Sequence, residues 1–430
     1  MMMRRSGFFQ DLLSTLFERR PWRGTQAPDA PLETLCEDLL GGRGEISGMR
    51  IGAAILDAYR DLDADGRRRF FAYLTEDMDL DADAVEAAAQ AYRIDRNAKT
   101  LQTLADAAEP RRQELLRRLN RLPGATAALV RMREDLLAEL RAEPSFTRTD
   151  LDFAHLFSSW FNRGFLVLRR IDWTSPAHIL EKIIAYEAVH QINDWDDLRR
   201  RLHPADRRCF AFFHPAMPDE PLVFVEVALT DAIPNSIQAV LSEDREPIDV
   251  GKATTAVFYS ISNCQTGLKG ISFGNSLIKQ VVQDLSAELR NLSTFVTLSP
   301  VPGFTKWLGG LESPEAKAVG EAVTAALAGD TGQLAEVDDT LRRLAADYFL
   351  KSKRDDGRPI DPVARFHLGN GAILHAIHAR ADLSPAGLKR GAGLMVNYLY
   401  DGDRVEPNHE SFAKDGAVVA SSQVEALLRG

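Results

Sequence analysis

The spacing of apolar residues changes character once along the chain, and that change constrains the fold more than any single motif. From about residue 30 to residue 160, apolar side chains recur at helical spacing. Leu35 and Leu39 begin the series, Ile51, Ile55, Leu56 and Tyr59 continue it, and Leu129, Met132, Leu136, Leu137 and Leu140 form its longest stripe. Breaks fall at Gly41-Gly42, Pro110, Pro123-Gly124 and Pro144. Strand patterns are nearly absent, so this part reads as a helical bundle. From about residue 163, runs rich in Val, Phe and Ile replace the helical period: Cys209–Phe213, Leu222–Leu229, Thr255–Ile261 and Thr294–Leu298. Helices are predicted between and after them, at Pro176–Val189, Asn275–Leu289, from Ser313-Pro314 onward, and Gln333–Leu350. A strand is predicted over Leu394–Tyr400. The expected class is α+β: an all-helical domain over residues 1–162, then an α/β domain over 163–430 built on one central mixed sheet.

Bulk properties narrow the function. The net charge of −10 over 430 residues excludes broad nucleic-acid binding, so any anion site is local. Cys36, Cys209 and Cys264 are few, odd in number and far apart, which fits a reducing compartment and no disulfide framework. No Cys/His spacing suggests zinc. Met1–Arg23 is basic and amphipathic, but Asp11 and Glu18 interrupt it, and no apolar run is long enough to span a bilayer. A cytoplasmic protein that uses neither membrane nor nucleic acid is expected. Asp61-Leu-Asp63-Ala-Asp65-Gly66 opens like a calcium loop, yet Ala72 stands where the closing carboxylate belongs and Arg67, Arg68 and Arg69 repel a cation. It reads as a turn between helices.

Three places carry candidate chemistry. A predicted buried strand ending near Ile261 runs into a turn with Gly267, Gly270 and Gly274, and the turn opens into the Asn275–Leu289 helix. Backbone N–H groups at such a helix start make an anion site. The candidate binding residues are Lys269, Gly270, Ile271, Ser272, Phe273, Gly274 and Asn275, with Lys279 in the first helical turn. The spacing matches neither the P-loop nor the dinucleotide fingerprint, and a plain tight loop would look the same. Ser299 stands at the end of the Thr294–Leu298 strand, before Pro300-Val-Pro302-Gly303; a hydroxyl at a strand end facing a cleft is a usual place for chemistry, although a serine in a turn or capping the Phe304 helix is commoner. His367 lies in Phe366-His-Leu-Gly-Asn-Gly371, read as a glycine-bearing turn before a helix over Ala372–Arg380 that would carry His375 and His378.

These segments together resemble the malonyl-CoA decarboxylase family. The resemblance rests on Phe258-Tyr-Ser-Ile-Ser262, Gly267-Leu-Lys-Gly270, Leu298-Ser-Pro-Val-Pro-Gly-Phe-Thr-Lys-Trp-Leu308, Phe366-His-Leu-Gly-Asn-Gly-Ala372 and Gly393-Leu-Met-Val-Asn-Tyr-Leu-Tyr400. Phe161-Asn-Arg-Gly-Phe165 and Pro221–Thr230 belong to the same series, in order from about residue 160 to residue 400. The resemblance implies a GNAT-type catalytic domain after a helical, assembly-forming domain, and a homotetramer. It implies a CoA pyrophosphate at Lys269–Asn275, and Ser299, His367 and Tyr400 as catalytic residues. The GNAT acyl-CoA pattern is imperfect: Lys269 holds its first position, Ser272 replaces its first glycine, and Gly274 fills the last.

The implied reaction suits those residues. Loss of CO2 from a malonyl thioester leaves a carbanion that the thioester itself delocalises, so neither metal nor organic cofactor is needed. The protein must stabilise the enolate oxygen and protonate the carbon. His367 is expected to supply the proton because imidazole titrates near neutral pH, and Ser299 is expected to bind the carboxylate or enolate or to relay the proton. Two other readings stay open: an acyl-CoA N-acyltransferase on the same fold, and a CoA-binding protein without catalysis.

Overall fold

The computed structural model describes residues 30–42, 44–271 and 277–429. The Met1–Arg23 stretch and Ser272–Asn275 lie outside the described residues. The chain divides into two compact units: one runs to Phe161 and also takes in Gln265–Ile271, and the other comprises Asn162–Cys264 and the chain from Ser272 onward.

The first unit is helical throughout its described length, as the period predicts: Leu32–Leu40, Glu45–Arg60, Ala64–Glu76, Ala82–Ile94, Ala98–Ala107, Arg111–Asn120, Ala125–Glu139 and Thr147–Trp160. Side-chain caps start several of them, because the first N–H groups of a helix need acceptors. Asp63, from the false calcium loop, is one: it accepts from Gly66 N at 2.7 Å and begins the Ala64–Glu76 helix. Phe70, Phe71, Leu115, Leu129, Leu136 and Phe153 are almost fully buried. Burying each contributes roughly 1.5–3 kcal/mol.

The second unit is built on an eight-stranded mixed sheet: β1 Val167–Ile171, β2 Arg207–His214, β3 Met217–Thr230, β4 Thr255–Asn263, β5 Thr294–Thr297, β6 Ser299–Pro300, β7 Ile373–His378 and β8 Met395–Leu399. The order is β1-β2-β3-β4-β5-β8-β6, with β7 also paired to β8. β1 to β4 are antiparallel, β4 and β5 run parallel, and β8 is antiparallel to β5, β6 and β7. Leu298 alone separates β5 from β6, so the two act as one interrupted strand across β8.

Side chains alternate between the sheet faces. One face carries Val225, Val227, Phe258, Phe295, Tyr398 and Tyr400, packed with residues of the Leu277–Glu288, Pro314–Leu327, Asp338–Leu350 and Pro362–Gly369 helices. The other carries Ala228, Val257, Tyr259, Val296 and Leu298 with Ile237 and Val240, and Ala211 and Phe224 with the Ala177–Tyr186 and Trp195–Leu202 helices. Ser313 caps its helix through Ala316 N at 3.2 Å, with Pro314 at the first position, as expected.

Two local expectations are corrected. Residues 373–378 are strand β7, so His375 and His378 are strand residues and not helical ones. His367 lies in a helix, Pro362–Gly369, instead of a turn. The cause is local chemistry. Asp361 accepts from Ala364 N at 2.7 Å, and Pro362 follows it, a start signal of the kind seen at Ser313-Pro314. The end is set by Gly371, whose φ of +83° favours glycine, and a Cβ there would lie 2.0 Å from the Val405 carbonyl oxygen.

Candidate active site

The interrupted strand β5–β6, the last turn of the Pro362–Gly369 helix and the end of β8 meet on one face of the sheet. Three side chains predicted as catalytic come together there. Ser299 Oγ lies 3.2 Å from His367 Nε2, and His367 Nδ1 lies 2.8 Å from the Tyr400 hydroxyl. All three residues are buried, at 5%, 3% and 6% exposure. Phe258 of β4 meets Tyr400 edge-on at 6.5 Å, and Tyr398 stacks on the His367 ring, with centroids 4.6 Å apart and planes 21° apart.

Burial sets the protonation of the cluster. It lowers the pKa of His367 from its ordinary 6.5 to about 3, and among the described residues no carboxylate offsets it. It raises that of Tyr400 well above 10.0. Both groups are therefore uncharged at neutral pH. The expectation that His367 titrates near pH 7 is corrected: desolvation wins because no counter-charge is paired with the ring.

Sequence reasoning missed three members of this surrounding. Thr297 is fully buried, accepts from Ser299 Oγ at 2.9 Å, and accepts from Tyr398 N at 3.1 Å. Its signal was available, since it stands two residues before Ser299 and alternation places both on one face. Tyr398 shares the face of Tyr400 for the same reason. Asp361 is 1% exposed, caps the helix that carries His367 and accepts from the Tyr348 hydroxyl at 3.3 Å; burial raises its pKa to about 6.

The glycine turn has a second neighbourhood. Thr266–Leu268 forms a 3-10 turn after β4, and the Leu277–Glu288 helix follows. Gly267 is required by packing rather than by a ligand: a Cβ there would lie 1.9 Å from the Val130 carbonyl oxygen on the Ala125–Glu139 helix. Arg133 of that helix, itself buried, donates to the Gly267 and Lys269 carbonyls at 2.8 and 3.0 Å and to Asp150 at 2.7 Å. Gly270 has φ of +81° with open space about its α-carbon. Of the candidate binding residues, Lys269, Gly270 and Ile271 are thus on the described part of the turn.

Among the described residues, no group of three or more His, Cys, Asp or Glu side chains is placed to hold a metal ion, and no helix is long and apolar enough to cross a membrane.

Comparison with known proteins places this geometry in a family. Residues 164–430 match the family described as malonyl-CoA decarboxylase C-terminal domain, and residues 79–161 match its N-terminal domain. A relative from Anser anser anser, called mitochondrial malonyl-CoA decarboxylase, is 36% identical over 420 residues, covering 88% of this chain and 83% of its own. The protein of the same name from Rattus norvegicus is 37% identical over 352 residues, covering 74% and 71%. The crystal structure of malonyl-CoA decarboxylase from Rhodopseudomonas palustris is 52% identical with a TM-score of 0.86, over 92% of this chain and 98% of that one. That from Agrobacterium vitis is 53% identical, also at 0.86, over 92% and 99%. The chain belongs to the malonyl-CoA decarboxylase family.

Proposed function

We propose that this chain converts malonyl-CoA to acetyl-CoA and CO2, with Ser299, His367 and Tyr400 as the catalytic residues. The observation that carries the reading is the buried Ser299–His367–Tyr400 sequence of contacts, whose histidine has no acidic partner. A Ser–His pair built for nucleophilic attack is oriented and charge-stabilised by a carboxylate. Here the third member is a neutral phenol, which suits proton relay through the imidazole ring.

The electron balance needs nothing further from the protein. The C–CO2 bond breaks, its electron pair enters the thioester carbonyl, and the enolate then takes a proton on carbon. Ser299 hydrogen-bonds the carboxylate or the enolate oxygen. His367 acts as a neutral relay, giving up a proton on the Ser299 side while accepting one on the Tyr400 side; water replenishes it. Burial keeps bulk water from the carbanion's surroundings. The reaction uses no metal or organic cofactor.

The turn Lys269–Asn275 binds the CoA pyrophosphate in this proposal. Lys269 supplies positive charge, the left-handed Gly270 opens the backbone, and the Leu277–Glu288 helix starts just beyond, with Lys279 in its first turn. The active form is a homotetramer assembled through the helical residues 1–162, which precede a GNAT-type catalytic domain over 163–430, and it is cytoplasmic.

The test is incubation with malonyl-CoA and no amine acceptor. We expect equal amounts of CO2 and acetyl-CoA, and H367N is expected to lose about 10²–10⁴-fold in turnover while still binding CoA. Acyl transfer only on adding an amine, or equal turnover by H367N, would overturn the assignment. K269A is expected to raise KM with little change in kcat.

A further inference from the structure

We infer that Thr297 is a positioning residue that sets the direction of the proton chain through the site and, with it, the tautomer of His367. The geometry is specific. Ser299 has one hydroxyl proton, and it is donated to Thr297 Oγ1 at 2.9 Å. Towards His367 Nε2, 3.2 Å away, Ser299 Oγ is therefore left as an acceptor. Nε2 then carries the imidazole proton. Because the ring is neutral, Nδ1 is a bare lone pair, and the Tyr400 hydroxyl, 2.8 Å away, donates to it. In the unliganded site every bond points the same way, Tyr400 to His367, His367 to Ser299, Ser299 to Thr297, and bound substrate replaces Thr297 as the acceptor from Ser299, so that the chain already runs towards the carbon to be protonated.

Thr297 holds this end of the chain because it cannot turn away. It is fully buried at the end of β5, and its Oγ1 also accepts the Tyr398 backbone N–H of β8 at 3.1 Å. That bond ties the hydroxyl to the strand whose Tyr398 ring stacks on His367. One β-branched side chain thus fixes both the Ser299 proton and the strand that aligns the imidazole plane. β-Branching leaves few χ1 rotamers, which suits a residue whose task is direction.

The role of the tautomer in turnover rests on the decarboxylase reading, but the tautomer itself can be read without substrate. Histidine is labelled with 15N in the full chain, which has nine histidines, and the His367 signals are identified by their loss in H367N. The wild type is expected to show a neutral ring protonated at Nε2. In T297V, which keeps the shape and removes the acceptor, the Ser299 proton is free to turn to Nε2, and the ring proton is expected to move to Nδ1. We expect kcat of T297V to fall about tenfold, with KM for malonyl-CoA changed less than about twofold. T297S, which keeps the hydroxyl, is expected to recover the wild-type tautomer and most of kcat. A wild-type ring protonated at Nδ1 would overturn the inference even if T297V failed to fold, and so would a T297V protein with tautomer and kcat unchanged. If both tautomers follow expectation but no protein releases CO2, the positioning role stands and the decarboxylase reading falls.

Discussion

The sheet buries polar groups on both faces, from opposite materials. On one face lie Thr297, Ser299, His367 and Tyr400, all uncharged, each bonded to the next. On the other lie Glu187, Arg201 and Glu226. Glu226 is fully buried in β3 and takes one bond from Arg201 Nη1 at 3.3 Å; burial, then the nearby Glu187, pushes its pKa up to about 8, against the pull of Arg201. Arg201 also donates to the carbonyls of His190 and Gln191, at 2.7 and 2.9 Å, and to Asp197 at 3.2 Å. Glu187 accepts from Ser260 at 2.7 Å, from Ser262 at 3.2 Å, and from the backbone N–H groups of Val189 and His190 at 2.8 and 2.7 Å. Burying charge is costly unless it is paired and hydrogen-bonded. That second face uses its hydrogen bonds to fix loops and strands around the Arg201 guanidinium, and burial keeps the Glu226 carboxyl protonated at neutral pH. The uncharged face has avoided that cost and can move a proton without creating or separating buried charge. In this chain the buried polar cluster that holds the proposed catalytic residues is the one whose groups are all uncharged.

The comparison breaks most sharply at its two centres. H367N is expected to lose turnover by about 10²–10⁴-fold, or roughly 3–5 kcal/mol at 1.36 kcal/mol per tenfold, with thermal stability close to that of the wild type. Steady-state kinetics beside a melting curve would check it. R201M is expected to do the reverse. Removing one partner of a buried pair costs about 3–5 kcal/mol, here in stability, while kcat of the protein that remains folded stays near wild type. Denaturant unfolding followed by kinetics in native buffer would read both. A strong kcat loss in R201M at full folding would join the two faces into one machine. The smallest effect belongs to Y400F, which takes the phenol out of the relay and leaves water to supply the proton at Nδ1 directly. It is expected to lower kcat by about tenfold or less, the worth of one hydrogen bond, with KM nearly constant.

Much of this arrangement was legible in the sequence, and the misses have physical causes. The helical first part follows from long apolar stripes, and the strands of the second from Val- and Phe-rich runs. Ser299 could be picked out because a hydroxyl followed by two prolines stands at a strand end. His367 was found, but its helix was hidden by the glycines after it. Those glycines end the helix and meet the Val405 carbonyl and Phe412, contacts that no local pattern reveals. Gly267 misled in the same way: its missing side chain makes room for Val130, a residue 137 positions earlier. Thr297 could be reached from Ser299 by alternation, but its bond to the Tyr398 N–H required knowing that β5 and β6 share β8. Glu226, the one carboxylate of the apolar run Leu222–Leu229, was a visible oddity, but Arg201, its partner, lies on a helix that only the fold brings near.

The protonation of His367 decides between the two kinds of cluster. Because folding lowers its pKa, the unfolded chain binds a proton between pH 6.5 and about 3 that the native chain does not. Stability from this group is therefore complete above about pH 6.5 and falls as pH drops towards 3. The most direct measurement is a 15N titration of His367 in the folded, unliganded chain from about pH 5 to about pH 8. A ring that stays neutral across that range is the predicted result. An imidazolium appearing with a midpoint near 6.5 would contradict the account, because His367 would then carry a buried charge as Arg201 does across the sheet.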